Sequence, residues 1–192
     1  MRALPDAIRT LIQRCLAGDQ AAMVELVNRY RNQVYGLCLR MLGQRQDAED
    51  AAQETFVRAL RSLSRWDAQR DFEPWLLAIA GNRCRTALAA RQRRPAVAVL
   101  DEAACADRSP EFEAASNLAE EVQLALGGLR AEYREAFLLF HEHELSYDEI
   151  AESLKRPLGT IKTWIRRARR ELIERLRRRD VVQESRHELR RV

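Results

Sequence analysis

The stretch from Ser146 to Leu176 most narrows what this chain can fold into, because it reads as two helices joined by a tight turn, the second loaded with arginine. Ser146 and Glu149 have capping-box spacing, so a short helix from Tyr147 to about Leu154 can satisfy its first amides. Lys155-Arg156-Pro157 then stops it, since proline cannot continue a helix, and Gly159-Thr160 supplies a flexible joint and an N-cap for the next one. From there Ile161, Ile165, Ala168, Leu172 and Leu176 recur at helical spacing and make one apolar stripe. Nearly everything else on that second helix is basic or polar.

Charge says what the second helix meets. Between Lys155 and Arg179 eleven Lys or Arg stand against two acids, Glu171 and Glu174, a net of +9 in a chain whose total is +4. A basic helix is often a solvated face. This one follows a tight turn after a capped helix and carries its charge opposite an apolar stripe, the pattern of a helix-turn-helix that enters a DNA major groove. Lys162, Thr163, Arg166, Arg167 and Arg170 point away from the stripe, toward base edges and phosphates. Thr160 and the helix N-terminus favour a phosphate.

Upstream, apolar periodicity predicts an all-α chain of two small helical blocks. Ile8, Leu11, Ile12, Cys15 and Leu16 make a short helix ending at Gly18, with Asp19 placed to cap the next. Met23, Leu26, Val27, Tyr30, Val34, Cys38 and Met41 carry the 3.6 period to a stop at Gly43. A third helix starts near Asp47, where Asp47, Glu49 and Asp50 suit the positive end of the dipole, and buries Ala52, Phe56, Ala59, Leu60 and Leu63. A loop from Ser64 to Glu73 leads to a fourth helix with Pro74 in its first turn. Residues 95–116 change character, with Pro95, Pro110 and five acids against one Arg, and read as a linker. Helices resume near Asn117, continue to Gly127-Gly128, and run again from Leu129 into the helix-turn-helix. No strand signal, internal repeat or Gly-rich phosphate loop is found.

The first block holds a second nucleic-acid candidate. From Pro74 to Leu100 there is no acidic residue, while Arg83, Arg85, Arg91, Arg93 and Arg94 accumulate, and Trp66, Phe72 and Trp75 stand at or just before the helix start. Arginines beside aromatics suit single-stranded or locally melted nucleic acid, because an unstacked base can lie on a ring while the cations hold its backbone. For the tryptophans taken alone, a place in the core is the simpler reading.

Other classes fit less well. No stretch approaches eighteen uncharged apolar residues and the N-terminus carries Asp6 without an apolar signal core, so membrane insertion or export is not expected and a cytoplasmic location is. Cys15, Cys38, Cys84 and Cys105 are widely separated and form no CxxC pair. Three of them lie on apolar helical faces as small core residues. Asp47, Glu49, Asp50 and Glu54, or His141 and His143 with Glu142 and Glu144, could suggest a metal enzyme, but no motif elsewhere completes a site, and two histidines two apart on a helix diverge. Neither a metal, a cofactor nor an enzymatic activity is expected. A plain helix-turn-helix repressor would account for the C-terminal block alone and leave the first block idle.

Three segments together, DAEDAAQETFVRAL (47–60), FEPWLLAIAGNRCRTALAARQRR (72–94) and LSYDEIAESLKRPLGTIKTWIRRARREL (145–172), resemble an extracytoplasmic-function (ECF) sigma factor of bacterial RNA polymerase. The likeness runs over about residues 8–178. It implies sigma region 2 in residues 1–94, a flexible linker in 95–116, sigma region 4 in 117–180 and a short tail in 181–192. By that resemblance Asp50, Gln53, Glu54 and Val57 meet the clamp coiled coil of core polymerase, and region 4 meets the flap. Ser64, Trp66, Trp75, Asn82, Arg83 and Arg85 would recognise and open the minus-ten element. Thr160, Lys162, Thr163, Arg166, Arg167 and Arg170 would read the minus-35 element, with Trp164 an unusual residue among them. The resemblance further implies a stress or envelope regulon and an anti-sigma factor supplied in trans, the two domains moving about the linker until bound. The linker's 22 residues reach about 70 Å at roughly 3.3 Å each, matching about 68 Å for two turns of B-DNA.

Overall fold

A computed structural model describes residues 6–93 and 110–179. Those residues form eight α-helices and a 3-10 turn, with no strand among them. In the first block α1 (Asp6–Leu16) and α2 (Gln20–Leu42) are separated by Asp19, whose carboxylate accepts the Ala22 N–H at 3.1 Å. Gly43, at φ 79°, closes α2 by giving its N–H to the Leu39 carbonyl at 2.9 Å, the left-handed conformation a glycine adopts at little cost. α3 (Arg45–Arg61) starts two residues before Asp47. After the 3-10 turn at Leu63–Arg65 comes α4 (Phe72–Arg93), with Pro74 in the first turn, where its missing N–H had no helical partner to lose.

α3 packs differently from its apolar periodicity. Ala48, Ala51, Ala52, Thr55 and Ala59 are buried, whereas Phe56 and Leu60 lie only partly covered at the edge. A face of small residues lets the α3 backbone approach its neighbours closely, and the one polar member, Thr55, gives its hydroxyl to the Ala51 carbonyl at 2.7 Å. Val34, Leu37 and Met41 of α2 with Leu76 and Leu77 of α4 fill the centre of this block.

The second block consists of α5 (Pro110–Gly127), α6 (Ala131–His141), α7 (Tyr147–Ser153) and α8 (Leu158–Arg178). α5 therefore begins inside the segment expected as linker. The remainder of that segment, Cys105 and the tail from Asp180 onward lie outside the described residues.

The two blocks pack against each other, α5 and α6 on α2, and α6 and α7 on α4. One apolar core runs through both blocks, and polar contacts add to it across the boundary. Arg134 of α6, itself buried, donates to the carbonyls of Met41, of Gly127 at 2.6 Å and of Leu129 at 3.1 Å. Gln123 of α5 donates to the Leu39 and Arg40 carbonyls at 3.2 and 3.1 Å. The carbonyl end of α2, the negative pole of its dipole, is thus capped by the other block. Arg40–Glu142 at 3.2 Å, Arg70–Glu152 and Arg85–Glu135 add ion pairs across the same boundary.

Candidate nucleic-acid interface

α7 and α8 form the helix-turn-helix. Ser146 accepts the Glu149 N–H at 3.2 Å while the Glu149 carboxylate accepts the Ser146 N–H at 2.7 Å, so both halves of the capping box are present. Lys155 takes the left-handed conformation, φ 53°, and Arg156 returns its N–H to the Ala151 carbonyl at 2.8 Å. Here a lysine rather than a glycine makes the turn. Thr160 is not the N-cap: α8 starts at Leu158 with Pro157 in the cap position, and Thr160 falls in the first turn. Proline suits that place because its fixed φ leads into a helix and the absent N–H leaves no unsatisfied donor.

Ile161, Ile165 and Ala168 are buried and Leu172 is partly so, which turns the opposite face of α8 outward. Lys162, Arg166, Arg167 and Arg170 are exposed on it, and among the described residues none of the four forms an ion pair. Thr163 is half-buried and donates its hydroxyl to the Gly159 carbonyl at 2.8 Å, leaving its oxygen as an acceptor. Lys162 lies 5.9 Å from the Tyr147 ring centroid. Trp164 packs half-buried against Tyr133, ring centroids 6.2 Å apart, so its bulk is turned to α6.

In the first block the aromatic residues build a cluster around Phe72, which is buried. Trp66 meets it edge-on at 5.7 Å, Trp75 lies at 5.4 Å and Tyr30 at 5.2 Å. Trp66 and Trp75 are therefore partly core, each half-exposed toward a cleft of about 1100 Å³ that also meets Arg70, Asn82, Glu149 and Glu152. The Trp66 indole N–H has no hydrogen-bond partner among the described residues. Ser64 and Asn82 are exposed. Arg83 lies 3.3 Å from Glu54, and Arg85 is paired with Glu135 of the opposite block, so two of the six minus-ten candidates have internal anionic partners.

Along α3, Asp50, Gln53 and Val57 are exposed on one face, and Val57 leaves nearly half its surface in water. Glu54, on the same face, is half-buried and accepts from Arg58 at 2.8 Å. That hydrogen bond, reinforced by Arg83, holds its carboxyl below the usual range.

Sequence reasoning missed Arg134 and Glu135, the pair that ties α6 to the first block. Two charged residues on an apolar helix, between Tyr133 and Phe137, were the available signal. No group of three or more His, Cys, Asp or Glu suited to a metal occurs among the described residues, and none of their helices is long and apolar enough to cross a membrane.

Comparison with known proteins places these surfaces in a family context. Residues 26–94 match the family model for sigma-70 region 2, and residues 119–172 match that for sigma-70, region 4. The ECF RNA polymerase sigma factor SigW of Bacillus subtilis is 35% identical over 183 residues, covering 88% of this chain and 97% of that protein. The structure of CnrH in complex with the cytosolic domain of CnrY is similar with a TM-score of 0.68 at 27% identity, over 88% of this chain and 97% of that one. The sigma factor RpoE of Bartonella quintana, solved with the anti-sigma factor NepR, shares the fold with a TM-score of 0.62 at 21% identity, over 80% and 95% of the two chains.

Proposed function

We propose, from the premise that this chain belongs to the ECF sigma factors of RNA polymerase, that it is the dissociable subunit which selects promoters for a stress or envelope regulon and starts strand opening there. Members of this family are transcription initiation factors and not enzymes. The observation that carries the reading is the presence in one chain of both sigma regions, in order, with uncompensated cations on α8 and an aromatic cleft beside Asn82 on α4.

In this reading residues 1–94 form the unit that binds core polymerase and the minus-ten element, 95–116 connect, 117–180 read the minus-35 element, and 181–192 form a tail. Asp50, Gln53, Glu54 and Val57 meet the clamp coiled coil, an acidic and apolar face accepting from a basic partner. Region 4 meets the flap. Lys162, Thr163, Arg166, Arg167 and Arg170 face the minus-35 major groove, with Thr160 and the start of α8 against a phosphate. Trp66 and Trp75 offer ring surface to unstacked bases of the minus-ten element, with Ser64, Asn82, Arg83 and Arg85 around them. The partners are core polymerase, promoter DNA and an anti-sigma factor, and the place of action is the cytoplasm.

Arg85 is engaged by Glu135, so its use on the minus-ten strand competes with that ion pair. Transcription by purified core polymerase from a panel of genomic promoters, with and without the full-length protein, tests the reading. Specific transcripts that need the protein support it. No protein-dependent transcript from any promoter, together with no association with core, would refute it.

A further inference from the structure

The basic face of α8 continues into a groove to which the start of α6 contributes. Arg130, immediately before the first turn of α6, is exposed, with its guanidinium 5.1 Å from the centroid of the Tyr133 ring. Tyr133 is buried, and its hydroxyl accepts from the Arg167 Nη1 at 3.0 Å. One tyrosine thus carries a cation over its ring and holds another at its hydroxyl, fixing two arginines from different helices relative to each other. Trp164 backs the same ring at 6.2 Å.

Arg130, Arg166, Arg167 and Arg170 line a shallow groove of about 300 Å³ together with Tyr133 and one acid, Glu171. Arg130 has no closer anionic neighbour than Glu132, 4.0 Å away at the limit of an ion pair. Four guanidinium groups converge on a groove that holds one carboxylate. Such a groove is suited to an anionic group with two oxygens that guanidinium can grip bidentately, which a phosphodiester supplies.

We infer that this groove seats a backbone phosphate of the duplex flanking the minus-35 element, with Arg130 and Arg167 as its donors and Tyr133 as the residue that positions them. The inference rests on the reading of α8 as the minus-35 reader and adds to it a contact from α6. Arg130 caps a separate helix and meets Arg166, Arg167 and Arg170 at the edge of the recognition helix. A phosphate contact of this kind sets the register of the helix on the duplex without reading sequence.

The test uses holoenzyme assembled from core polymerase and the full-length protein, with affinity for promoter fragments measured across potassium chloride concentrations. Arg130→Ala is expected to weaken binding about three- to tenfold at moderate salt, equally on promoters that differ in the minus-35 element, and to reduce the slope of log affinity against log salt by about 0.9. Arg130→Lys restores the slope, because the charge is retained. Tyr133→Phe keeps the ring under Arg130 and removes the acceptor for Arg167, so affinity falls several-fold with the wild-type slope. Thermal melting of each variant reports folding separately. Wild-type holoenzyme that fails to bind any promoter overturns the sigma reading itself. Normal wild-type binding combined with an unchanged slope for folded Arg130→Ala overturns the phosphate seat alone, as does a change in minus-35 preference in that variant.

Discussion

Arg85 of α4 and Glu135 of α6 are an ion pair across the two blocks in which the Glu135 side chain is fully buried and the Arg85 side chain keeps 31% of its surface exposed. A carboxylate taken out of water is costly unless its partner compensates. Burial pushes the Glu135 carboxyl above its ordinary range, with Arg85 opposing the shift only in part. Gly81 makes room for this group, since a Cβ there would collide with the Glu135 carboxylate. One of the contacts that join the blocks is therefore biased by burial toward the protonated carboxyl.

Glu135→Gln should change how stability depends on pH. A carboxyl whose folded pKa is raised contributes stability that is fully present below its unfolded value, about 4.3, and is lost as pH rises through the elevated folded value. In urea unfolding, the difference between variant and wild type should move in favour of Gln as pH rises across that window and level off above it. A difference that is independent of pH would show that folding leaves the Glu135 pKa unshifted.

Gly81→Ala should separate the blocks while leaving each one folded. The added methyl group meets the end of Glu135 in a closed site, so α6 and α4 must part or the carboxylate must be expelled. Small-angle scattering is expected to give a larger radius of gyration for the variant, with helicity unchanged. Identical scattering curves would mean the side chain relaxes in place.

Much of the helix-turn-helix was legible because its determinants are local. Ser146 caps with Glu149, three residues away, and Ile161, Ile165 and Ala168 mark the buried stripe by spacing alone. The joint was misplaced because Gly159-Thr160 looks like a break and a cap, yet the helix tolerates glycine in its first turn at about 1 kcal/mol and starts directly after Pro157. The packing between blocks was not legible. Arg134 meets the carbonyl of Met41, 93 residues away, and a backbone carbonyl carries no side-chain signature. Trp164 gave no hint of its partner either, since Tyr133 lies on another helix.

Arg166→Ala should cost about 1–3 kcal/mol of promoter discrimination, the size of a lost bidentate base contact. Arg166 is exposed and without an ion pair among the described residues, so folding should survive. Competition footprinting on promoters altered in the minus-35 element checks this. Unaltered preference would remove Arg166 from the reading face.

Asp50→Arg should weaken association with core polymerase at least tenfold, because an exposed acceptor facing a basic surface becomes repulsive. It is a cleaner probe than Glu54, whose reversal would also break the contacts with Arg58 and Arg83. Size-exclusion co-elution with core measures the effect, and circular dichroism should show unchanged helicity. Undiminished co-elution would return this face of α3 to solvent.

Strand opening tests the central claim most directly. Permanganate reactivity of thymines in the minus-ten region, on a promoter the protein serves, should appear only when core polymerase and this protein are both present, and should fall when Trp66 and Trp75 are replaced by Ala. Tight binding of the protein alone to duplex DNA, with no thymine reactivity after core is added, would contradict the account and make the chain a duplex-binding helix-turn-helix protein.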